Sequence, residues 1–237
     1  MFNYLANPTR FRKIASFILP FLEVICLLSL GYGLYLALLV SPADYQQGDA
    51  VRIMYVHVPS AWLALSSYLL LGICSFFFLI WRHPLAEIAA RSIAPIGTGF
   101  AALTLITGSF WGKPIWGVWW VWDGRLTSML VLFFFFIGYI SLSNAFDRSE
   151  RGARPAAILA LVGCINLPIV KFSVDWWHTL HQPASIMRSG GISIDTEMLW
   201  PLLTLFFSFQ IFFIIIVLTR MLTLLNELKY LKHISRS

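Results

Sequence analysis

Charged residues are scarce in this chain. Aspartate, glutamate, lysine and arginine make up only 12% of its 237 residues, whereas hydrophobic residues make up 59%. A soluble globular domain carries about 25% charged residues. Because so few polar side chains cannot cover a water-soluble fold, we expect lipid to surround most of the chain.

Several patterns that mark common activities are absent. The three cysteines, Cys26, Cys74 and Cys164, lie in apolar runs and form neither a Cys-x-x-Cys pair nor a covalent haem attachment site. The sequence also contains no phosphate-binding glycine loop, no serine–histidine–aspartate arrangement and no paired carboxylates. We therefore expect neither a nucleotide-hydrolysing nor a hydrolytic centre in this chain.

Six apolar stretches are long enough to cross a membrane. A transmembrane helix needs about 20 mainly apolar residues to span a hydrocarbon core of about 30 Å. The first stretch is too long for a signal peptide, and we expect it to be retained. The sequence thus predicts an all-α membrane protein with six transmembrane helices in a single integral-membrane domain, residues 1–237. The predicted spans are Ile14–Val40, Val58–Trp81, Ile93–Phe110, Leu126–Asn144, Ala156–Val174 and Leu199–Leu222.

The basic residues are divided unevenly between the two predicted membrane faces. Twelve of the 17 lysines and arginines lie at the termini and in the two even-numbered loops. Because such residues accumulate on the cytoplasmic side, we expect both termini in the cytoplasm and short external loops. The net charge of +6 then reflects orientation and does not indicate nucleic-acid binding. The external basic residues are Arg52, Lys113, Arg125, Lys171 and Arg188.

Five tryptophans fall within thirteen residues between the third and fourth predicted spans. We predict that residues 111–125 form an external tryptophan-rich loop. Aromatic belts at membrane interfaces also contain tryptophan, but a belt does not readily explain four indoles within seven residues. A broad aromatic surface at the membrane edge suits a flat aromatic ligand. Its residues are Trp111, Trp116, Trp119, Trp120 and Trp122, followed by Asp123.

Histidines flank this tryptophan segment in the other two external loops and suggest haem. His57 lies at the mouth of the second span, and His178 and His181 lie in the third external loop. Two imidazoles from different loops can bind haem iron from opposite sides, and the spacing alone leaves His178 and His181 as alternatives. Arg52 and Arg125 are the nearest arginines to these elements, either as donors to the haem propionates or as interfacial anchors.

Four external motifs narrow the interpretation. They are Trp116–Asp123 with the preceding Gly108–Pro114, Pro42–Gly48, His57–Pro59 and Trp176–Gln182. Together with six spans, they resemble the tryptophan-rich WWD family of haem-handling membrane proteins, and within it the C component of bacterial cytochrome c maturation. The resemblance covers nearly the whole chain.

This resemblance implies a specific role. Members hold non-covalent haem (haem b) at the periplasmic face of the inner membrane, between two histidines and the tryptophan segment. They deliver it to a periplasmic haem chaperone, alongside an ABC transporter of A and B components and a small single-span D subunit. The axial ligands fall on His57 and His181, because His178 occupies a variable position of the motif. We expect a delivery platform rather than an enzyme.

Three other functions compete with this interpretation. A haem permease would need a polar or histidine-lined path through the membrane, yet the histidines lie near its faces. A b-type electron-transfer cytochrome would bury its histidines near the middle of the spans. A scaffold without haem would use the tryptophans as a protein interface. Glu23, a lone charge within the first span, is not assigned a role.

Overall fold

The computed structural model describes residues 7–145, 149–182, 185–186 and 190–234. Arg148, Arg188 and Arg236, which enter the orientation argument, lie outside the described residues. Within the described chain there are seven α-helices, with a π-helical turn at Leu36–Val40 and a 3₁₀ turn at Asp49–Ile53. The helices are α1 Pro8–Tyr35, α2 Met54–Trp81, α3 Pro84–Trp116, α4 Gly124–Asn144, α5 Ser149–Gly163, α6 Asn166–Trp176 and α7 Thr196–Ile234.

The described chain contains six helical segments that are long and apolar enough to cross a membrane. This confirms the predicted all-α chain and its multi-pass character. The fifth segment consists of α5 and α6 together, and each of the others contains a single α-helix. The segments are Pro8–Val40, Asp49–Trp81, Pro84–Trp116, Gly124–Asn144, Arg151–Trp176 and Thr196–Leu231.

Local capping chemistry makes α3 longer than predicted at its start. The predicted span began at Ile93, but the helix begins at Pro84, so only Arg82 and His83 connect it to α2. Proline suits the first helical turn because its missing N–H has no partner there. The His83 ring accepts a hydrogen bond from the Ala86 N–H at 3.3 Å and caps the helix.

At its other end α3 continues into the tryptophan-rich segment. Residues 111–116 are helical, so the predicted loop over 111–125 is reduced to a connection of residues 117–123 before α4. Gly112 and Pro114 do not stop the helix. It ends at Gly117, whose φ of 76° is the left-handed conformation that glycine adopts at helix ends.

The fifth predicted span, Ala156–Val174, is interrupted. Helix α5 ends at Gly163 and α6 begins at Asn166. The Asn166 amide donates a hydrogen bond to the Ser128 carbonyl of α4 at 2.8 Å, which holds the start of α6 against that helix. A hydropathy pattern does not reveal this break, because Arg151–Trp176 as a whole is apolar enough to count as one span.

The helices form a bundle in which α2 and α3 are central. They pack against each other, α7 contacts both, and α1 packs mainly against α7. On the other side α4 packs against α3, α5 and α6. Aromatic and small side chains fill the core between these helices, including Tyr68, Ala94, Leu132 and Phe136. This arrangement places the start of α2, the end of α3, the start of α4 and the end of α6 at one end of the bundle.

Candidate functional site

His57 lies in the first turn of α2 and is only 8% exposed. Its Nδ1 is 3.0 Å from the Thr107 hydroxyl oxygen, which donates its own hydrogen to the Leu103 carbonyl at 2.6 Å. With the hydroxyl hydrogen assigned to Leu103, the hydroxyl oxygen accepts a hydrogen bond from the imidazole Nδ1–H. This assignment leaves Nε2 unprotonated with a free lone pair. Metal-binding histidines are commonly oriented by such a hydrogen bond on the other ring nitrogen.

His181 follows α6 and brings a second imidazole to the same place. The ring centres of His57 and His181 are 6.3 Å apart, with the ring planes at 79°. Burial lowers the pKa of His181 to about 4, and the Arg125 charge adds to the lowering while Asp123 opposes it. The ring is therefore neutral at pH 7, which is the form that binds metal.

The separation of the two rings matches a shared metal ion. A metal–imidazole bond is about 2 Å, and the ligating nitrogen lies about 1 Å from its ring centre, so two imidazoles on one metal have centres roughly 6 Å apart. The observed 6.3 Å between His57 and His181 agrees with this value. No third histidine, cysteine or carboxylate joins them in a metal-binding cluster among the described residues.

A small cavity lies between the histidines and the end of α3. Its volume is about 60 Å³. Pockets that hold drug-sized ligands occupy about 300–1,000 Å³, so this cavity is narrow. The lining includes His57, His181, Gly108, Trp116, Trp120 and Arg125.

The tryptophan segment divides between this cavity and the outer surface. Trp116 and Trp120 line the cavity, and the Trp116 ring centre is 5.4 Å from that of His181. Trp111 packs edge-on against His57 with ring centres 5.6 Å apart. Trp119 and Trp122 are 53% and 76% exposed. The indoles thus form part of the cavity wall and part of an exposed rim, rather than one flat surface.

Two polar residues predicted to contact the ligand have other partners in the structure. Arg52 donates to the Ala37 carbonyl at 2.6 Å and forms an ion pair with Asp49 at 3.1 Å, and it does not line the cavity. Asp123 caps α4 by accepting from the Leu126 N–H at 2.8 Å. Its other carboxylate oxygen accepts from the Thr179 hydroxyl. Arg125, by contrast, lines the cavity.

The alternative ligand His178 is exposed and does not line the cavity. The structure thus brings His181, and not His178, to His57. Other residues that hold the site together were not predicted from the sequence. Thr107 has no recognisable signal, whereas Gly108 and Thr179 stand within quoted motifs without an assigned role. Gln47, in the first external loop, accepts from the Trp111 indole N–H at 2.9 Å.

Comparison with known proteins identifies the family. The family model described as heme exporter protein C (CcmC) matches residues 1–234. The chain belongs to the haem exporter protein C family. Heme exporter protein C of Bradyrhizobium diazoefficiens is 52% identical over 217 residues, which cover 92% of this chain and 82% of that protein. Heme exporter protein C of Escherichia coli K12 is 42% identical over 223 residues, 94% of this chain and 90% of that protein.

The family extends to a mitochondrial relative. A ccmC-like cytochrome c biosynthesis protein of Marchantia polymorpha is 46% identical over 194 residues, 80% of this chain and 82% of that protein. These matches confirm the resemblance drawn from the external motifs. By family, the chain is a multi-pass membrane protein of haem export and cytochrome c biogenesis.

Proposed function

We propose that the chain binds haem b between His57 and His181 at the periplasmic face of the bacterial inner membrane, and delivers it to a periplasmic haem chaperone. The observation that carries this proposal is the 6.3 Å separation of the two imidazole centres. One of these rings has its Nδ1 hydrogen-bonded to Thr107 and its Nε2 free. Both features suit a pair of axial ligands.

The donor set favours haem over a bare metal ion. Two neutral imidazoles satisfy only two coordination positions, and the described chain offers no third ligand beside them. Haem iron already carries four porphyrin nitrogens and needs two axial ligands. Since this ligand is cargo, axial coordination without a covalent attachment allows it to leave.

The walls of the cavity suit the remainder of the ligand. Trp116 and Trp120 present indole surfaces to a macrocycle, and the buried Trp120 Nε1–H has no hydrogen-bond partner among the described residues. The Arg125 guanidinium at the cavity offers paired donors for a propionate carboxylate. Arg52 is already engaged with Ala37 and Asp49. We therefore assign the propionate role to Arg125 alone.

Orientation and partners complete the proposal. The excess of basic residues at the termini and even-numbered loops supports an orientation with both termini in the cytoplasm and the histidine pair in the periplasm. The chain works beside the A and B components of an ABC transporter and a small single-span D subunit, as its family membership suggests. The exposed Trp119 and Trp122 at the rim are available to a partner or to lipid headgroups. The chain acts as a platform that assists haem attachment to the chaperone.

A haem permease is less well supported by the structure. His57, His178 and His181 lie at one end of the bundle, and His83 lies at the other, in the connection between α2 and α3. The described part of the chain contains no histidine near the middle of a span. A path across the bilayer would need polar or metal-binding groups at that depth.

Absorption spectra of the detergent-purified protein test the proposal. Wild type should bind haemin with the spectrum of six-coordinate, low-spin iron, and His57→Ala or His181→Ala should lose that spectrum while the protein still inserts into the membrane. His178→Ala is the matched control and should resemble wild type. Retention of the wild-type spectrum in both axial variants would refute the ligand assignment. Holo-chaperone formation in cells should fail in the same two variants.

A further inference from the structure

Asp123 connects two segments that are distant in sequence. It is the N-cap of α4, where one carboxylate oxygen accepts the Leu126 N–H at 2.8 Å and the other accepts the Thr179 hydroxyl. The Thr179 hydroxyl oxygen accepts in turn from the backbone N–H of His181 at 3.1 Å. A continuous chain of hydrogen bonds therefore runs from the start of α4 to the backbone of the second histidine.

The hydrogen-bonding capacities of the groups match this arrangement. A threonine hydroxyl has one hydrogen to donate and lone pairs to accept, so it can serve Asp123 and His181 at the same time. An ionised carboxylate has two acceptor oxygens and can serve Leu126 and Thr179 together. Asp123 is only 9% exposed, and its negative charge lies at the positive end of the α4 dipole. Each of these groups thus has a hydrogen-bond partner in the next one.

Among the described residues, the His181 ring has two aromatic contacts. These contacts are with the Trp116 ring, at 5.4 Å between ring centres, and with the His57 ring, at 6.3 Å. The segment around it is not helical, so no helix fixes its backbone. Aromatic contacts alone are weakly directional compared with hydrogen bonds. The backbone contact to Thr179 is therefore the directional restraint on this residue within the described chain.

We infer that Asp123 and Thr179 are positioning residues, which set the distance of the His181 imidazole from that of His57. In this arrangement the aspartate of the tryptophan-rich segment acts on the second ligand and does not touch the bound molecule. The inference rests on the proposed function, because positioning matters only if both imidazoles bind one iron. It explains why Asp123 follows the indoles yet does not line the cavity.

Thr179→Val tests the inference. Valine keeps the shape of threonine but can neither donate to Asp123 nor accept from His181. Purified protein is titrated with haemin, and both affinity and spin state are read from the absorption spectrum. We expect a loss of affinity of about tenfold, the effect of one lost hydrogen bond to a charged group. We also expect a shift from six-coordinate low-spin towards five-coordinate high-spin iron.

Two further measurements separate positioning from a general structural defect. Thr179→Ser keeps the hydroxyl and should restore the wild-type spectrum. Added imidazole should restore the low-spin spectrum of Thr179→Val by supplying the missing ligand from solution. Thr223→Val removes a threonine hydroxyl that bonds only within α7, at 3.0 Å to the Thr219 carbonyl, and should have no effect.

Asp123→Asn extends the test if Thr179→Val does not accumulate in the membrane. With its amide oxygen on the Leu126 N–H, asparagine presents an NH2 donor where Asp123 has its second oxygen, so the Thr179 hydroxyl loses its acceptor. We expect a partial shift to high-spin iron that added imidazole reverses. A wild-type spectrum and affinity in this variant would overturn the inference.

The outcomes distinguish this inference from the proposed function. If His57→Ala and His181→Ala lose low-spin haem while Thr179→Val binds it as wild type does, the positioning role is wrong and the ligand assignment stands. If those two histidine variants themselves bind haemin normally, the proposed function fails first. A high-spin Thr179→Val that serine does not rescue would also count against positioning through the hydroxyl.

Discussion

Gly108 in α3 lies directly against the imidazole of His57, and its replacement by alanine gives a quantitative test of the site. A Cβ at this position would be 3.1 Å from the imidazole Cε1 and 3.6 Å from Nδ1. Carbon atoms in contact prefer about 3.5–4.0 Å. The ring would therefore have to move by about 0.5 Å. Such a movement also disturbs the 3.0 Å hydrogen bond from Nδ1 to Thr107.

This movement is large compared with what metal coordination tolerates. Metal–ligand distances in proteins vary by about 0.2 Å, and loss of a hydrogen bond that orients a metal-binding histidine costs about 10–100-fold in metal affinity. We expect Gly108→Ala to weaken haem binding about tenfold, at the lower end of that range, because the Nδ1 acceptor remains nearby. Alanine favours a helix over glycine by about 1 kcal/mol. At position 108 this gain offsets the cost of moving the ring, so overall stability should change little.

Gly99→Ala is the matched control in the same helix, since nothing lies within 4 Å of its added Cβ. Haemin titration and thermal unfolding are measured for both variants in the same detergent. Gly99→Ala should gain stability and bind haem as wild type does, whereas Gly108→Ala should lose affinity without a matching loss of stability. Equal haem affinity in the two variants would refute the idea that the position of His57 limits binding.

Three further predictions concern the groups around the histidines. Thr107→Val should weaken haem binding about tenfold, because His57 loses its Nδ1 acceptor. Thr107→Ser keeps the hydroxyl and should bind haem as wild type does. An unchanged haemin titration in Thr107→Val would contradict the tautomer assignment. Because the pKa of His181 is lowered to about 4, its neutral ligating form persists as the pH falls through 6.5 and is lost only near pH 4. Haem retention measured from pH 8 to pH 5 should thus stay nearly constant, and a loss centred near 6.5 would indicate an unshifted histidine. Arg125→Ala should lower haem retention by about tenfold through a lost propionate contact, less than removal of His57, and equal haem content in this variant and wild type would remove that role.

Hydropathy predicted the number of spans because lipid imposes one requirement on all of them, a long apolar helix. The ends of the helices were less predictable. Near the membrane surface polar residues can remain helical, and α3 accordingly extends to Pro84 at one end and Trp116 at the other. Gly112 and Pro114 suggest a loop by composition. In the structure Gly112 instead leaves space for the Trp116 ring, which an added Cβ would approach to 2.7 Å.

A histidine of the third external loop near His57 was predictable from position along the chain, whereas the choice of His181 over His178 came from the resemblance to the family motif. His57 and His181 flank helices that begin or end at the same end of the bundle, so folding brings them together despite their separation in sequence. The roles of the arginines were not predictable in this way. Arg52 and Arg125 both stand next to the external motifs, but only the packing of α1 beside the 3₁₀ turn and the direction of α4 determine which one reaches the cavity.

The contacts that orient the histidines depend on tertiary geometry. Thr107 reaches His57 only because α3 turns that side towards α2. The pattern of apolar residues does not define the rotation of α3 about its axis precisely enough to predict this contact. The contact between Thr179 and His181 was easier to predict. Threonine hydroxyls often form hydrogen bonds with the backbone N–H two residues later. The link between Thr179 and Asp123 crosses between two loops and required the structure.

The π-helical turn at the end of α1 changes how genetic data on this protein should be interpreted. Its Ala37 carbonyl is held by Arg52, so this arginine fastens the first helix to the entrance of the second. A screen for defective cytochrome c assembly would recover substitutions at position 52, and their phenotype would look like a missing ligand contact. Membrane abundance and protease resistance of such variants would reveal a displaced helix instead. Phenotype alone therefore does not distinguish an anchor from a binding residue at this face.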